Sequence, residues 1–137
     1  MTRRKKISIL VIGIVFVLLA IGIYHMFFDT SLENAPHGKL VEKLDSPNHE
    51  YTARVFRINE GWFLGATNAP SVRVDIVFNK NQNRQPKTIY YEYDRSYPYE
   101  VSWINSKEIK IYNHKLNVLK DTYNWKTDDN WDKERNE

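Results

Sequence analysis

The sequence predicts a mainly β protein: a small antiparallel sheet, meander or sandwich of five to six strands, preceded by one N-terminal transmembrane helix. Three observations support this fold class. Residues 7–28 form an almost unbroken apolar run behind a basic cluster at residues 3–6. Beyond the run, short segments alternate apolar and polar residues, which is typical of half-buried strands. Turn residues separate these segments, and no helical periodicity occurs outside the apolar run.

The apolar run is long enough to cross a membrane once. At about 1.5 Å of rise per residue, residues 7–28 reach roughly 33 Å, which matches a hydrocarbon core of about 30 Å. Tyr24, Phe27 and Phe28 lie at its distal end, where aromatic rings favour the membrane interface. We therefore expect the chain to contact the lipid bilayer through residues 7–28.

The charges that flank the run predict its orientation. Residues 1–6 carry Arg3, Arg4, Lys5 and Lys6, whereas the first charged residues after the run are acidic. Because basic residues stay on the cytoplasmic side, we expect a cytoplasmic N-terminus and an extracytoplasmic C-terminal domain in the cell membrane. The alternative is a cleaved signal peptide, since Ala20, Ile21 and Gly22 satisfy the small-residue rule, and the domain would then be secreted.

Composition narrows the functional class of the domain. Once the basic cluster is set aside, 16 basic residues remain against 17 acidic ones, so the domain has no cationic excess that would favour nucleic acid. The chain has no cysteine, which excludes a lipoprotein anchor, disulfides and thiolate metal sites. A small exported domain without disulfides fits a bacterial cell envelope, and the absence of an Asn-x-Ser/Thr sequence agrees with this.

The strands follow one another at short intervals. Residues 71–78 give the clearest pattern, because Val72, Val74, Ile76 and Phe78 alternate with polar residues. The other predicted strands are residues 51–58, 89–93, 100–104, 108–112 and 116–118, with a last short element at 121–125. Residues 29–38 lack periodicity and predict a linker, residues 39–125 form the β domain, and the charged residues 126–137 predict a flexible tail.

No pattern in the chain predicts a metal or cofactor site. The four histidines are not spaced as metal ligands. Asp128, Asn130 and Asp132 match the first ligand positions of a calcium-binding EF-hand loop, but Lys133 replaces the glycine that the turn of this loop needs. We expect no cofactor and no metal.

No catalytic constellation is visible either. The chain has no nucleophile elbow and no Ser-x-x-Lys pair. The carboxylate pairs Glu92 with Asp94 and Asp128 with Asp129 could serve as acid and base, but adjacent surface acids are common. We therefore expect no enzymatic activity, with an envelope hydrolase that uses surface carboxylates kept as the alternative.

Aromatic density is the strongest functional signal. Five tyrosines lie within residues 90–99, and an apolar segment within residues 59–70 carries Trp62 and Phe63. Such residues can form a stacking platform for glycan or peptide, or a contact patch for a protein. The alternative is that the strand tyrosines fill the core, with Tyr90 on the exposed face. The candidate interaction surface is Trp62, Phe63, Tyr90, Tyr97 and Tyr99.

Short motifs of strand and turn residues are spread over roughly residues 40–125. They are Ser46-Pro47-Asn48 with Tyr51, Ala53, Val55 and Phe56, Gly65-Ala66-Thr67, Val72-Arg73-Val74-Asp75-Ile76, Ile89-Tyr90-Tyr91 with Tyr93, Trp103-Ile104-Asn105, and Tyr123 with Trp125. In these motifs the domain resembles a family of small, uncharacterised, membrane-anchored proteins of low-GC Gram-positive bacteria. The resemblance implies a bacterial envelope and a domain of unknown function, and it assigns no catalytic residue. Residues 62–64 look like an insertion relative to this pattern.

Together these observations predict a membrane-anchored extracytoplasmic domain that binds an envelope protein or glycan. A structural accessory subunit of a membrane complex is a further alternative. Such a subunit would show an exposed apolar patch or a flat, unpaired sheet edge.

Overall fold

The computed structural model describes residues 2–59 and 69–134, which divide into two compact units, Met1–Thr30 and Ser31–Glu137. The first unit is helix α1, Arg3–Phe28. The helix begins within the basic cluster, four residues before the predicted span. It is long and apolar enough to cross a membrane or to act as a signal anchor. None of its side chains is buried, unlike those of a core helix in a soluble protein.

The second unit is mainly β, which confirms the predicted fold class. Its described residues contain eight strands in two sheets. The five-stranded sheet has the order β1-β2-β3-β4-β8 and the other sheet the order β5-β6-β7. The strands are β1 Lys39–Asp45, β2 Tyr51–Asn59, β3 Pro70–Phe78, β4 Lys87–Glu92, β5 Val101–Trp103, β6 Glu108–Ile111, β7 His114–Asn117 and β8 Tyr123–Asn124.

Neighbouring strands pair antiparallel except β4 and β8, which run parallel. Strands β3 and β4 form an antiparallel pair, and so do β5 and β6. Strand β1 was not predicted, because it lies at the edge of the five-stranded sheet with nearly every side chain exposed. A strand that buries neither face carries no apolar alternation to read.

One apolar core draws on both sheets. From the five-stranded sheet it takes Val55, Val74 and Ile76, and from the three-stranded sheet Ile109 and Ile111, all 0% exposed. On β3 the alternation places apolar residues toward this core and Ser71, Arg73 and Asp75 on the opposite face. That opposite face is buried too, so β3 is covered on both sides.

Two segments outside the predicted β domain cover the opposite face. Residues 31–38, predicted as part of a linker, contain a 3-10 turn at Leu32–Asn34, and Ala35 packs with Ile58 and Tyr91. The guanidinium of Arg73 donates to the Ala35 carbonyl at 3.0 Å. Part of the predicted linker therefore packs on the β domain through Ala35 and through its backbone contacts with the buried Arg73.

The charged C-terminal residues also fold where the structure describes them. A 3-10 turn at Trp125–Thr127 follows β8, and a four-residue helix, α2 Trp131–Glu134, comes next. The Trp125 and Trp131 rings lie 5.0 Å apart, and both contact the Tyr93 ring. Residues 126–134 therefore differ from the predicted flexible tail, because two tryptophans separated by six positions fold back onto β4.

Candidate functional site

The predicted surface residues fall into three groups. Trp62 and Phe63 lie outside the described residues. Tyr90 is 0% exposed, so the expectation that it lies on an exposed face is wrong. Both faces of β4 are covered, which buries Tyr90 in the main core and Tyr91 in the smaller cluster on the other side. Tyr97 and Tyr99 form the third group of predicted surface residues.

Tyr97 and Tyr99 lie in the segment that leads from β4 into β5. Tyr97 is 79% exposed, whereas Tyr99 is half-buried and packs against the core. Their rings lie 6.0 Å apart and almost perpendicular, at 86°. Burial raises the pKa of Tyr99, although nearby Arg57 partly opposes this. Tyr99 therefore stays uncharged at neutral pH, and its contact with the core fixes the ring against which Tyr97 lies.

A cleft of about 210 Å³ begins at Tyr99. Its walls come from the start of β5 and from β6 and the residue after it: Tyr99, Glu100, Val101, Ser102, Lys110 and Tyr112. The register of the three-stranded sheet sets this lining, since Ser102 pairs with Lys110 and the Tyr112 amide donates to the Glu100 carbonyl at 2.8 Å. The cleft thus offers a hydroxyl, a cation and an anion beside an aromatic ring.

A buried charged network lies next to this cleft. The guanidinium of Arg95 lies 4.3 Å from the centre of the Tyr112 ring, and its Nε atom is 3.0 Å from the Glu92 carboxylate. Glu92 is 1% exposed and also accepts a hydrogen bond from the Tyr90 hydroxyl. Buried charges are stable only when they are paired in this way. The network holds Arg95 against Tyr112.

The pKa shifts in this network follow from burial and pairing. Burial alone would lower the pKa of Arg95, but the hydrogen bond and charge of Glu92 outweigh it, and the pKa is raised. Burial, with the Glu92 charge, raises the pKa of Tyr90. Burial also raises the pKa of Tyr112, against the opposing effect of Arg95. Both phenols therefore stay protonated at neutral pH, and Glu92 is held in an ion pair.

The carboxylate pairs considered for catalysis are arranged differently from a reactive pair. Glu92 is buried and paired with Arg95, whereas Asp94 is exposed and has a left-handed backbone with φ of 59°. Asp128 accepts hydrogen bonds from the Tyr123 hydroxyl at 2.9 Å and from the Asn130 amide. Glu100 is the one acid that lines the Tyr112 cleft.

No group of three or more histidines and acids in residues 2–59 and 69–134 is arranged to hold a metal ion. His114 begins β7 and stacks on Tyr123 at 3.7 Å between ring centres. This half-buried histidine thus has a packing role.

Sequence reasoning missed Lys110, Tyr112, Arg95 and Glu92 as neighbours. The sequence held a usable signal for the position of Lys110. A two-residue turn at 112–113 sets the register of the β6–β7 hairpin, and this register places Lys110 opposite Lys115. The contact of Arg95 with Tyr112 joins the segment that follows β4 to the turn that follows β6, and no local pattern encodes it.

Comparison with known proteins gives a family but no activity. A family model described as "Family of unknown function (DUF5412)" matches residues 2–128, a range that includes α1 and nearly all of the β domain. Neither a curated protein nor a solved structure matches the chain. The match covers most of the sequence, so the chain belongs to this family of unknown function, DUF5412.

Proposed function

We propose that this protein is a single-pass membrane protein of the bacterial cell envelope whose exported β domain is a binding module, with Tyr97 and Tyr99 at the binding surface. Helix α1 is the observation that supports a membrane anchor. Its large apolar residues from Ile7 to Phe28 are 48% to 71% exposed. In water such a surface is strongly unfavourable, and in a bilayer it is the preferred one.

The orientation follows from charge. The four basic residues at positions 3–6 precede the apolar stretch, and Asp29 and Glu33 follow it. Since cationic residues are retained on the cytoplasmic side, the β domain lies outside the cytoplasm. The basic residues also match the anionic headgroups of the inner leaflet.

Tyr97 carries the binding part of the proposal. At 79% exposure it is the most exposed large apolar side chain among the described residues of the β domain. Isolated exposed apolar residues are ordinary, but Tyr97 lies against a second ring at the rim of a polar cleft. An exposed ring next to convergent polar groups is the usual composition of a ligand site.

The accessory-subunit alternative would use strand β1, whose outer edge is unpaired within the described sheet. Leu40 and Val41 are exposed there. However, the pairing register shifts between Leu40 and Glu42, and Lys39, Glu42 and Lys43 are charged. A bulge and charged side chains are the devices that prevent strand addition at an edge, so we favour the tyrosine surface.

Membrane topology is directly testable because the chain has no cysteine. Single cysteines can be introduced at exposed positions by Thr2→Cys and Lys120→Cys. We expect a membrane-impermeant maleimide to label Lys120→Cys in intact cells and Thr2→Cys only after lysis. The reverse labelling pattern would refute the orientation, and a shortened product in the medium would show that the chain is cleaved within α1, as a signal peptide would be.

Binding is tested with the full chain in nonionic detergent, immobilised and exposed to envelope glycan fragments and peptides. Tyr97→Ala removes the exposed ring, and Ile104→Ala is the matched control because Ile104 is 47% exposed at the other end of β5. We expect Tyr97→Ala to lose bound material that the wild type and Ile104→Ala retain. Equal retention by all three proteins would exclude this surface.

A further inference from the structure

The chain enters the β domain at one end of the five-stranded sheet. The strands begin or end there at Lys39 in β1, Asn59 in β2, Pro70 in β3 and Glu92 in β4. Antiparallel pairing of β1 with β2, β2 with β3 and β3 with β4 brings these four positions to the same end of the sheet. We call it the entry end, since residues 31–38 lead into β1 there.

A short connection ties the entry end to the predicted membrane span. Leu32 already packs against a cluster that contains Ile58 and Tyr91, which lie one residue from the ends of β2 and β4. Helix α1 ends at Phe28. At about 3.6 Å per residue, the chain from Phe28 to Leu32 reaches no more than roughly 14 Å. When α1 crosses the bilayer, the entry end therefore stays close to the point where the chain leaves the lipid.

Aromatic side chains are concentrated at the entry end. The Arg95 amide donates to the Pro70 carbonyl at 2.9 Å, which fixes the segment after β4 at this end of the sheet. Tyr97 follows in the same segment, and its ring is exposed. Tyr93 also follows β4 and contacts the Trp125 ring. Tyrosine and tryptophan rings favour the boundary between water and lipid, because they are apolar with one polar group.

The turns at the opposite end of the sheet have a different composition. They are residues 46–50 between β1 and β2 and residues 79–86 between β3 and β4, and neither turn contains an aromatic residue. The nine residues of β3 separate the two ends by roughly 27 Å. A membrane contact at the entry end thus leaves these polar turns in water.

Aromatic rings, and not charge, are the groups that suit a membrane contact here. Residues 126–134 lie beside the Tyr93 ring through Trp131. Four acids in this segment outnumber two lysines: Asp128, Asp129, Asp132 and Glu134 against Lys126 and Lys133. Attraction to anionic lipid needs the opposite balance. We therefore expect a contact that does not depend on anionic headgroups.

We propose that the entry end of the β domain rests on the outer surface of the membrane, with the Tyr97 ring among the lipid headgroups. The proposal rests on the anchor and the tyrosine surface proposed above, and it names the partner of that surface, a phospholipid headgroup of the outer leaflet. Tyr99 packs against the core and supports the Tyr97 ring from the protein side. The Tyr97 hydroxyl donates to headgroup oxygens while its ring leaves water.

The test uses single cysteines that carry a fluorescent label in the full chain. The protein is placed in nanodiscs of phosphatidylcholine that include a lipid with a nitroxide on its headgroup. Ser96→Cys puts the label next to Tyr97, and Gln82→Cys is the matched control at the opposite end; both positions are exposed. We expect the nitroxide to quench the label at Ser96→Cys at least about twofold more than the label at Gln82→Cys, because a full strand length separates them.

Tyr97→Ala distinguishes a contact from a mere tether. A tether alone keeps the entry end near the bilayer with or without the ring, whereas an inserted ring holds it at the headgroups. We expect Tyr97→Ala to reduce quenching at Ser96→Cys about twofold, since alanine has no interfacial preference. Ile104→Ala removes an exposed apolar side chain elsewhere and should leave the quenching unchanged. Added salt should also leave it unchanged, because the contact does not use charge.

Two quenching results would overturn the proposal. Equal quenching of the two labels would show that the domain has no preferred end at the membrane. Equal quenching with and without the Tyr97 ring would show a tether without a contact. If either result occurs while Tyr97→Ala still loses glycan or peptide in detergent, the tyrosine surface stands and the membrane contact fails. A chain that does not co-purify with nanodiscs would refute the anchor and the proposal together.

Discussion

The buried ion pair between Arg73 and Asp75, on the face of β3 opposite the main core, gives the sharpest stability prediction. Asp75 is 4% exposed and accepts hydrogen bonds from Arg73 Nε at 2.8 Å and Arg73 Nη2 at 3.1 Å. Thr88 donates a third bond to Asp75 at 2.8 Å. Arg73 is 8% exposed, and its remaining acceptors include the Ala35 carbonyl. Asp75→Asn keeps the shape of the side chain but leaves the guanidinium without its counter-charge.

Breaking a buried pair by removing one partner costs about 3 to 5 kcal/mol, because the other charge stays desolvated. We therefore expect Asp75→Asn to lower the free energy of unfolding by about this amount. For a domain of about 100 residues this corresponds to a decrease in Tm of more than about 10 °C. Glu50→Gln is the control, since the Glu50 ion pair with Lys80 lies at the surface, and it should leave Tm nearly unchanged.

The assay is urea unfolding of the full chain in nonionic detergent, followed by tryptophan fluorescence. An unchanged dependence on urea with a lower midpoint would show that stability alone has changed. The double variant Arg73→Met, Asp75→Leu removes both charges, and it should be less destabilised than the sum of the two single changes. A loss below about 1 kcal/mol in Asp75→Asn would show that the pair is solvated and that our account of this face is wrong.

Two further predictions concern close packing and buried tyrosines. Gly38→Ala should destabilise the domain by about 1 to 3 kcal/mol in the same assay. The reason is that the added Cβ would lie 2.4 Å from the Arg57 carbonyl oxygen. A variant as stable as the wild type would contradict this close contact. Because burial raises the pKa of Tyr90, its contribution to the free energy of unfolding should be constant below about pH 10 and fall as pH rises further, where only the unfolded chain loses the proton. The fall attributable to Tyr90 is about 1.4 kcal/mol per pH unit, and Tyr90→Phe should remove it; an identical alkaline slope in the variant would exclude Tyr90 as its source.

The long apolar helix and the main strands could be read from the sequence because their signals are local. An apolar run of membrane length and the alternation in β3 each depend on neighbouring residues and on which surface they bury. The prediction of a mainly β domain was therefore confirmed. The same local rule missed β1, whose exposed side chains leave no pattern. It predicted β4 as a strand but not that both faces of β4 are covered, which buries Tyr90.

What the sequence by itself determined is the order of elements: an apolar helix first, then short strands separated by turns. Tertiary structure alone decided which tyrosines reach the surface, how residues 31–38 contact Arg73, and how Tyr99, Lys110 and Tyr112 come to line one cleft. The physical reason is the range of the interactions. Strand and helix patterns reflect residues a few positions apart, whereas the cleft depends on strand register and on a buried Arg95–Glu92 pair that packs against the other sheet.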